Sequence, residues 1–455
     1  MSFPDDFAWG SATASYQIEG AHDADGKGLS VWDAMCRWPG KVKHGDTGDV
    51  ACDHYHQFSD DVKLMADLGL KAYRLSISWP RVLPDGTTAH VNEAGLKFYD
   101  ELVDALLDAG IEPWVTLFHW DFPLDLYRRG GWLSPESPQW FEDYSRLIVD
   151  RLSDRVTNWM TLNEPQVFLS LGHREGTHAP GAKLDWPDVL TASHHALLAH
   201  GRAVQVIREH AKKSPTVGWA PVGVIRYPAG NRDEYVDAAR DRMFSIREPS
   251  LWNNTWFSDA ALLGHYPEDG LRIFGDAAPK VKPGDMETIR QPLDFYGANI
   301  YNGQPIGTPD DADAETPRPA GYANTHMEWP VEPDSLYWGP RFLHERYQLP
   351  IVITENGLAN PDWVDLDGNV RDPQRIDFTR RYLLRLRDAV QDGVDVKGYF
   401  HWSLMDNFEW AEGYAKRFGL IHVDYQTLKR TPKASFHWYR NVIATNGASL
   451  DDPVT

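Results

Sequence analysis

Cysteine is almost missing. Cys36 and Cys52 are the only two in 455 residues and no CxxC pair occurs, so neither a disulfide framework nor a cysteine-rich metal site is available. Phosphate-binding loops are missing as well: there is no GxxxxGK followed by Ser or Thr, and no GxGxxG after a strand-like run. The sequence has no HExxH, and the pairs His54/His56 and His194/His195 lack a partnered ligand set. It has no GxSxG, so a serine hydrolase has no nucleophile elbow. No window approaches the roughly eighteen apolar residues that a membrane helix needs. The opening MSFPDDFAWG lacks the basic and apolar regions of a secretion leader, which predicts a cytoplasmic chain with no membrane partner and leaves Asn253-Asn254-Thr255 an idle glycosylation acceptor. Basic residues are scarce: 45 Lys and Arg face 66 Asp and Glu, a formal charge of −21. Such a surface repels phosphate backbones, so no nucleic-acid partner is expected.

Apolar residues are plentiful at 42%, enough for a large core. Tryptophan is conspicuous, with nineteen copies beside nineteen Tyr and eighteen Phe. Most must pack inside, but Trp is also the side chain that best stacks on a sugar face while donating a hydrogen bond.

The elements alternate in type. Runs rich in β-branched and aromatic residues occur at Phe7–Ala12, Lys71–Ser76, Glu112–Trp120, Val156–Asn163, Val217–Ile225, Leu293–Ile300, Ile351–Glu355 and Val396–His401. Helical periods separate them at Asp60–Leu68, Asn92–Ala109, Trp140–Arg151, Asp188–Lys212 and Asp372–Asp392. Eight strands alternating with helices predict a parallel sheet closed as a (β/α)₈ barrel, the TIM-barrel architecture, and no linker divides residues 1–455 into more than one domain. The strands read as continuous apolar runs, as expected where both faces are covered. Thr308–Tyr322, rich in Pro and acids, reads as a long loop on the C-terminal rim, where active-site loops of such barrels lie.

Several strands end in costly polar groups. The fourth ends Asn163-Glu164 and the seventh Glu355-Asn356. One such acid alone is as easily a surface residue or a helix cap. Two on opposite sides of one barrel suit glycosidic cleavage, which needs an acid for the leaving oxygen and a carboxylate for the oxocarbenium-like centre. The residues themselves do not say which Glu does which. Gln17, Arg74, His119-Trp120, Asn299 with Tyr301, Trp402 and Glu409-Trp410 stand at other strand ends or in the last loop as sugar ligands.

The same residues resemble the glycoside hydrolase family 1 β-glucosidases over essentially the whole chain. The resemblance rests on the stretch Phe7–Gly20, on YRLSISW at Tyr73–Trp79, HWDFP at His119–Pro123, TLNEP at Thr161–Pro165, ITENG at Ile353–Gly357, NFEW at Asn407–Trp410 and RTPK at Arg430–Lys433. It implies an exo-acting retaining β-glucosidase with no cofactor and no metal, acting on small sugars such as β-glucosides and cello-oligosaccharides. It implies Glu164 as general acid/base and Glu355 as nucleophile, with Arg74 and Tyr301 holding Glu355 ionised and oriented. It further implies Asn163 at the sugar 2-hydroxyl, Gln17, His119, Trp120, Asn299, Glu409 and Trp410 at the remaining polar contacts, Trp402 under the ring, and Trp329 beside the aglycone. A 6-phosphoglycosidase of the same family is the first alternative; such relatives carry a small neutral residue in place of Glu409, whose charge repels phosphate. A catalytically silent sugar-binding protein is the second, and its usual sign is loss of a catalytic Glu. Gln166 stands where the family usually has Trp on the aglycone side, and Ile300 replaces the middle aromatic of its NYY stretch.

Overall fold

All eight strand-like runs form strands, because each can bury one face inside a ring and the other under a helix. The structure, a computed structural model, describes residues 2–230, 232–307 and 318–453. The strands are β1 (Ala8–Ala12), β2 (Ala72–Ser76), β3 (Glu112–Phe118), β4 (Asn158–Asn163), β5 (Thr216–Ala220), β6 (Tyr296–Asn299), β7 (Ile351–Asn356) and β8 (Val396–Trp402). They pair in parallel from β5 back to β1, then through β8 and β7 to β6. Backbone bonds between the two outer strands complete the ring: Asp294 N–H donates to Val217 O at 2.8 Å and Asn299 N–H to Pro221 O at 3.0 Å. Eight helices cover the outside: α1 (His54–Leu68), α2 (Glu93–Asp108), α3 (Ser137–Leu152), α4 (Trp186–His210), α5 (Asp233–Phe244), α6 (Ser335–Tyr347), α7 (Pro373–Gln391) and α8 (Ala434–Ala444). This is the (β/α)₈ architecture.

The inside of the ring is a packed core. Ala12, Ala72, Trp114, Met160, Phe295, Val352 and Phe400 fill it. Two large rings fit because two strands give way. A Cβ at Gly10 would come within 2.4 Å of Phe400, and one at Gly218 within 2.5 Å of Phe295. The remaining apolar residues pack between strands and helices.

The expected strand Val217–Ile225 is interrupted. Pro221 has no N–H for a ladder, so β5 stops at Ala220 and the chain pairs again at Ile225–Pro228, in parallel with Gly303–Ile306. Helix α1 begins at His54, earlier than the apolar period alone indicates. Of the expected rim loop Thr308–Tyr322, residues 308–317 lie outside the described residues; from Arg318 onward the chain is tied back by bonds to Glu332 and Gly303 O. Asn253, Asn254 and Thr255, the formal acceptor triplet, are buried. His54 pairs with Asp61 at 2.8 Å and His194 with Asp285 at 3.0 Å. Among the described residues no helix is long and apolar enough to cross a membrane.

Candidate active site at the C-terminal mouth of the barrel

Strands β4 and β7 each lose their regular register in their last residues. Met160 pairs with Gly218 but Asn163 with Ala220, and Ala298 pairs with Ile353 but Asn299 with Glu355. Such bulges re-aim side chains. Here they turn Glu164 and Glu355 into one cavity of about 610 Å³, which both residues line. Glu164 adopts a left-handed backbone (φ 46°), as do Trp120 (φ 79°) and Trp410 (φ 52°) on the same cavity. Non-glycine residues hold that conformation only where the surroundings enforce it.

The two carboxylates have different neighbours. Arg74 donates to Glu355 Oε1 at 2.5 Å, and Tyr301 OH donates to Glu355 Oε2 at 2.8 Å. The guanidinium is itself fixed by Thr116 Oγ1, Thr354 O and Asn163 Oδ1. Glu164 has a single neutral donor, Asn299 Nδ2, at 2.8 Å, and the same nitrogen also reaches Asn163 Oδ1 at 3.0 Å. Arg74, Asn163 and Asn299 therefore link the two acids in one buried chain. Burial pushes Glu164 well above the usual carboxyl range, and the charge of Glu355 adds to it. Burial raises Glu355 too, but Arg74 and Tyr301 oppose the rise. Of the two, Glu164 is pushed further toward its protonated form.

The end of the cavity made by β8, β1 and β3 is aromatic and under-bonded. The His119 ring stacks near those of Trp402 and Trp410, at 5.8 and 5.9 Å between centroids, and Trp120 packs on Trp410 at 4.6 Å. Asn163 Nδ2 donates to His119 Nε2, so the proton of this neutral imidazole sits on Nδ1; burial and the Arg74 charge hold it neutral. Among the described residues His119 Nδ1, Gln17 Oε1 and Glu409 Oε2 are buried polar atoms with no hydrogen-bond partner. Each such atom costs about 1–3 kcal/mol, and His119 and Glu409 line this end of the cavity, where a polyhydroxyl ligand has missing bonds to supply.

Ten of the thirteen expected site residues line the cavity: His119, Trp120, Glu164, Asn299, Tyr301, Trp329, Glu355, Trp402, Glu409 and Trp410. Gln17, Arg74 and Asn163 are buried and do not line it. Gln17 Nε2 is spent on Asn407 Oδ1 and Phe408 O, which leaves only its Oε1 to offer. Position 166 departs from the expectation. Gln166 is fully buried and does not line the cavity. Residues not anticipated include Thr354, which donates to Asn299 Oδ1 at 2.6 Å, and Thr116 behind Arg74. Strand parity with the inward Val352 and Trp114 was the available signal for both. Val222, Ile225, Trp252 and Phe418, also on the cavity wall, carried no such signal.

Two buried carboxylates with different partners, beside an aromatic end that holds unpartnered polar atoms, make an arrangement that suits cleavage of a glycoside. The sequence profile of glycosyl hydrolase family 1 matches residues 1–448. The chain belongs to glycosyl hydrolase family 1. It is a glycoside hydrolase. It is 44% identical to β-glucosidase A of Thermotoga maritima over 452 residues, which cover 98% of both chains. It is 40% identical to an aryl-phospho-β-D-glucosidase of Bacillus subtilis, covering 99% of this chain and 98% of that one. The solved structure of the Thermotoga maritima β-glucosidase in complex with glucoimidazole matches with a TM-score of 0.90 at 44% identity, over 98% of this chain and 99% of that chain.

Within this family 1 site Glu409 behaves differently from the simple expectation of a fixed negative charge. Burial pushes it up to about 8, and the charges of Glu355 and Glu412 contribute. A carboxyl raised in this way carries less negative charge than its identity suggests, which weakens its repulsion of a phosphate. Arg226, which follows β5, is the only Arg or Lys among the described residues that line the cavity.

Proposed function

We propose that this protein is an exo-acting, retaining β-glucosidase carried by one catalytic domain over residues 1–455. Its substrates are terminal non-reducing β-D-glucosyl residues of aryl and alkyl β-glucosides and short oligosaccharides. The observation that carries the reading is the unequal pairing of the two acids: Glu355 is held by a guanidinium and a phenol, Glu164 by one amide. In the first step Glu355 Oε attacks the anomeric carbon while Glu164 gives its proton to the departing oxygen, which forms a glycosyl ester and a free alcohol. In the second, Glu164 takes a proton from water, whose oxygen displaces Glu355 and restores the β-configuration. Arg74 and Tyr301 keep Glu355 anionic before attack and steady it as it leaves. Asn163, Gln17, His119, Trp120, Asn299, Glu409 and Trp410 bind the sugar's polar groups, Trp402 supports the ring, and Trp329 meets the leaving group. The names of the relatives support the glucoside class.

Proton NMR of the first product decides the stereochemistry. β-Glucose is expected; α-glucose overturns the mechanism. Rates on 4-nitrophenyl β-glucoside and on its 6-phosphate separate this reading from a phosphoglycosidase, and absence of turnover on both leaves a sugar-binding protein.

A further inference from the structure

The two halves of the cavity are built differently. The half formed by β8, β1 and β3 carries the unpartnered polar atoms described above. The half beside β4 and β5 is mainly apolar, with Val167, Leu171, Val222, Val224, Ile225 and Trp252 on its wall. Thr177, His178 and Arg226 are polar exceptions on that wall, and among the described residues His178 Nδ1 is a further buried atom without a hydrogen-bond partner.

The stretch Val222–Ile225 follows the break at Pro221, so it lacks a neighbouring strand on one edge. Its inner edge is satisfied by Asn299: Gly223 N–H donates to Asn299 O at 2.8 Å. On the other edge two side-chain amides stand in for a strand. Val222 N–H donates to Gln166 Oε1 at 3.2 Å, and Gln166 Nε2 donates to Val222 O at 3.4 Å. Val224 N–H donates to Asn254 Oδ1 at 2.9 Å, and Asn254 Nδ2 donates to Val224 O at 2.7 Å. Both amides are fully buried. Gln166 also reaches Asn253 O, next to Trp252. The backbone of the wall is therefore closed off on both edges, and what Val222 and Val224 add to the cavity is their methyl groups. Gln166 lies two residues after Glu164, and Glu164 N–H donates to Ala220 O at 2.8 Å. This half is thus on the acid's side.

We propose that Gln166 and Asn254 are positioning residues for leaving-group choice: by holding Val222–Ile225 as an apolar wall, they favour aryl and alkyl leaving groups over a second sugar. The inference rests on the retaining-hydrolase reading, which is what assigns this half to the leaving group. A sugar there meets few partners for its hydroxyls, whereas each methylene laid on the wall gains affinity.

Titration calorimetry with methyl and n-hexyl β-D-thioglucoside tests the wall without depending on turnover. The hexyl compound is expected to bind at least about tenfold more tightly to the wild type, because several methylenes are buried. Gln166→Met, which keeps length and loses the amide, is expected to reduce that ratio to about threefold or less through loss of hexyl affinity. Val222→Asn, which places polar atoms on the wall, is expected to do the same and carries the test if Gln166→Met does not fold. A wild-type ratio within twofold overturns the proposal, as does a ratio unchanged in both variants. kcat/KM for n-hexyl β-glucoside is expected to exceed that for cellobiose at least tenfold, mostly through KM; equal values also overturn it. Selective binding with no hydrolysis of any β-glucoside would remove the hydrolase reading and leave the wall standing.

Discussion

The ends of β4 and β7 make an instructive pair. Both finish with an acidic residue next to an asparagine, both break register there, and both acids are buried on one cavity. What separates them is the partner set. A guanidinium and a phenol face Glu355, and a single amide faces Glu164. Burial alone would raise both carboxyls. The cation opposes the rise at one of them, and the resulting charge raises the other further. In the proposed mechanism two identical side chains thereby take opposite duties, one as a poised anion and the other as a stored proton.

Deleting the anion is the strongest way to break this comparison. Glu355→Ala is expected to lower kcat by about five orders of magnitude or more, because the covalent route disappears. Azide should restore turnover and yield the α-glucosyl azide. Deleting the proton store should do less. Glu164→Ala is expected to cost about 10²–10⁴-fold on substrates with poor leaving groups and little in glycosylation by 2,4-dinitrophenyl β-glucoside, whose leaving group needs no proton. Azide should then give the β-glucosyl azide. The opposite pattern of azide products would mean that the two duties are exchanged.

The third test keeps both acids and weakens only the contrast between them. Tyr301→Phe removes the 2.8 Å bond to Glu355 and nothing from Glu164. Hydrogen bonds to charged groups contribute about 1.5–3 kcal/mol, so the Glu355 carboxyl should rise by about one unit or more. An anionic nucleophile is needed for attack, so the acidic limb of kcat/KM against pH should move to higher pH, with about tenfold lower activity at its foot. If the limb stays in place, the phenol does not set the charge of Glu355.

Much of this was legible in the sequence. Patterns of β-branched and aromatic residues located all eight strands, and the motifs led to thirteen site residues of which ten line the cavity. The misses share a physical cause. A register shift at the end of a strand leaves no mark in composition, so nothing in TLNEP or ITENG says that the carboxylates turn inward. Side-chain amides that substitute for strand partners are equally silent: Gln166 read as a missing cavity Trp, whereas its amide is spent on Val222. Lys433 was visible only as part of a motif. Its place between Asp362 and Asp406, at 2.6 Å from each, depends on loops after β7 and β8 that meet only in the folded barrel.

Glu409 extends the comparison to a third acid. Among the described residues it pairs with no cation and one of its oxygens lacks a partner, and burial with the neighbouring charges pushes it up to about 8. Sugar hydroxyls that donate to its carboxylate favour the ionised form and so lower its pKa on binding. Binding at pH 7 should therefore release a proton, up to one per site, and affinity should rise as pH increases toward 8. Above about pH 9 the free carboxyl is already ionised and the release should vanish. The measurement is the calorimetric heat of methyl β-D-thioglucoside binding in buffers of different ionisation enthalpy, for wild type and Glu409→Ser. The serine variant removes this proton and leaves those of Glu164 and Glu355, so its release should fall by the share that belongs to Glu409. Its kcat/KM on 4-nitrophenyl β-glucoside should fall by about one to two orders of magnitude per lost charge-assisted bond. Equal proton release in the two proteins would mean that Glu409 meets the sugar as a neutral donor. In that case its partners, and not its charge, decide whether a 6-phosphate is refused.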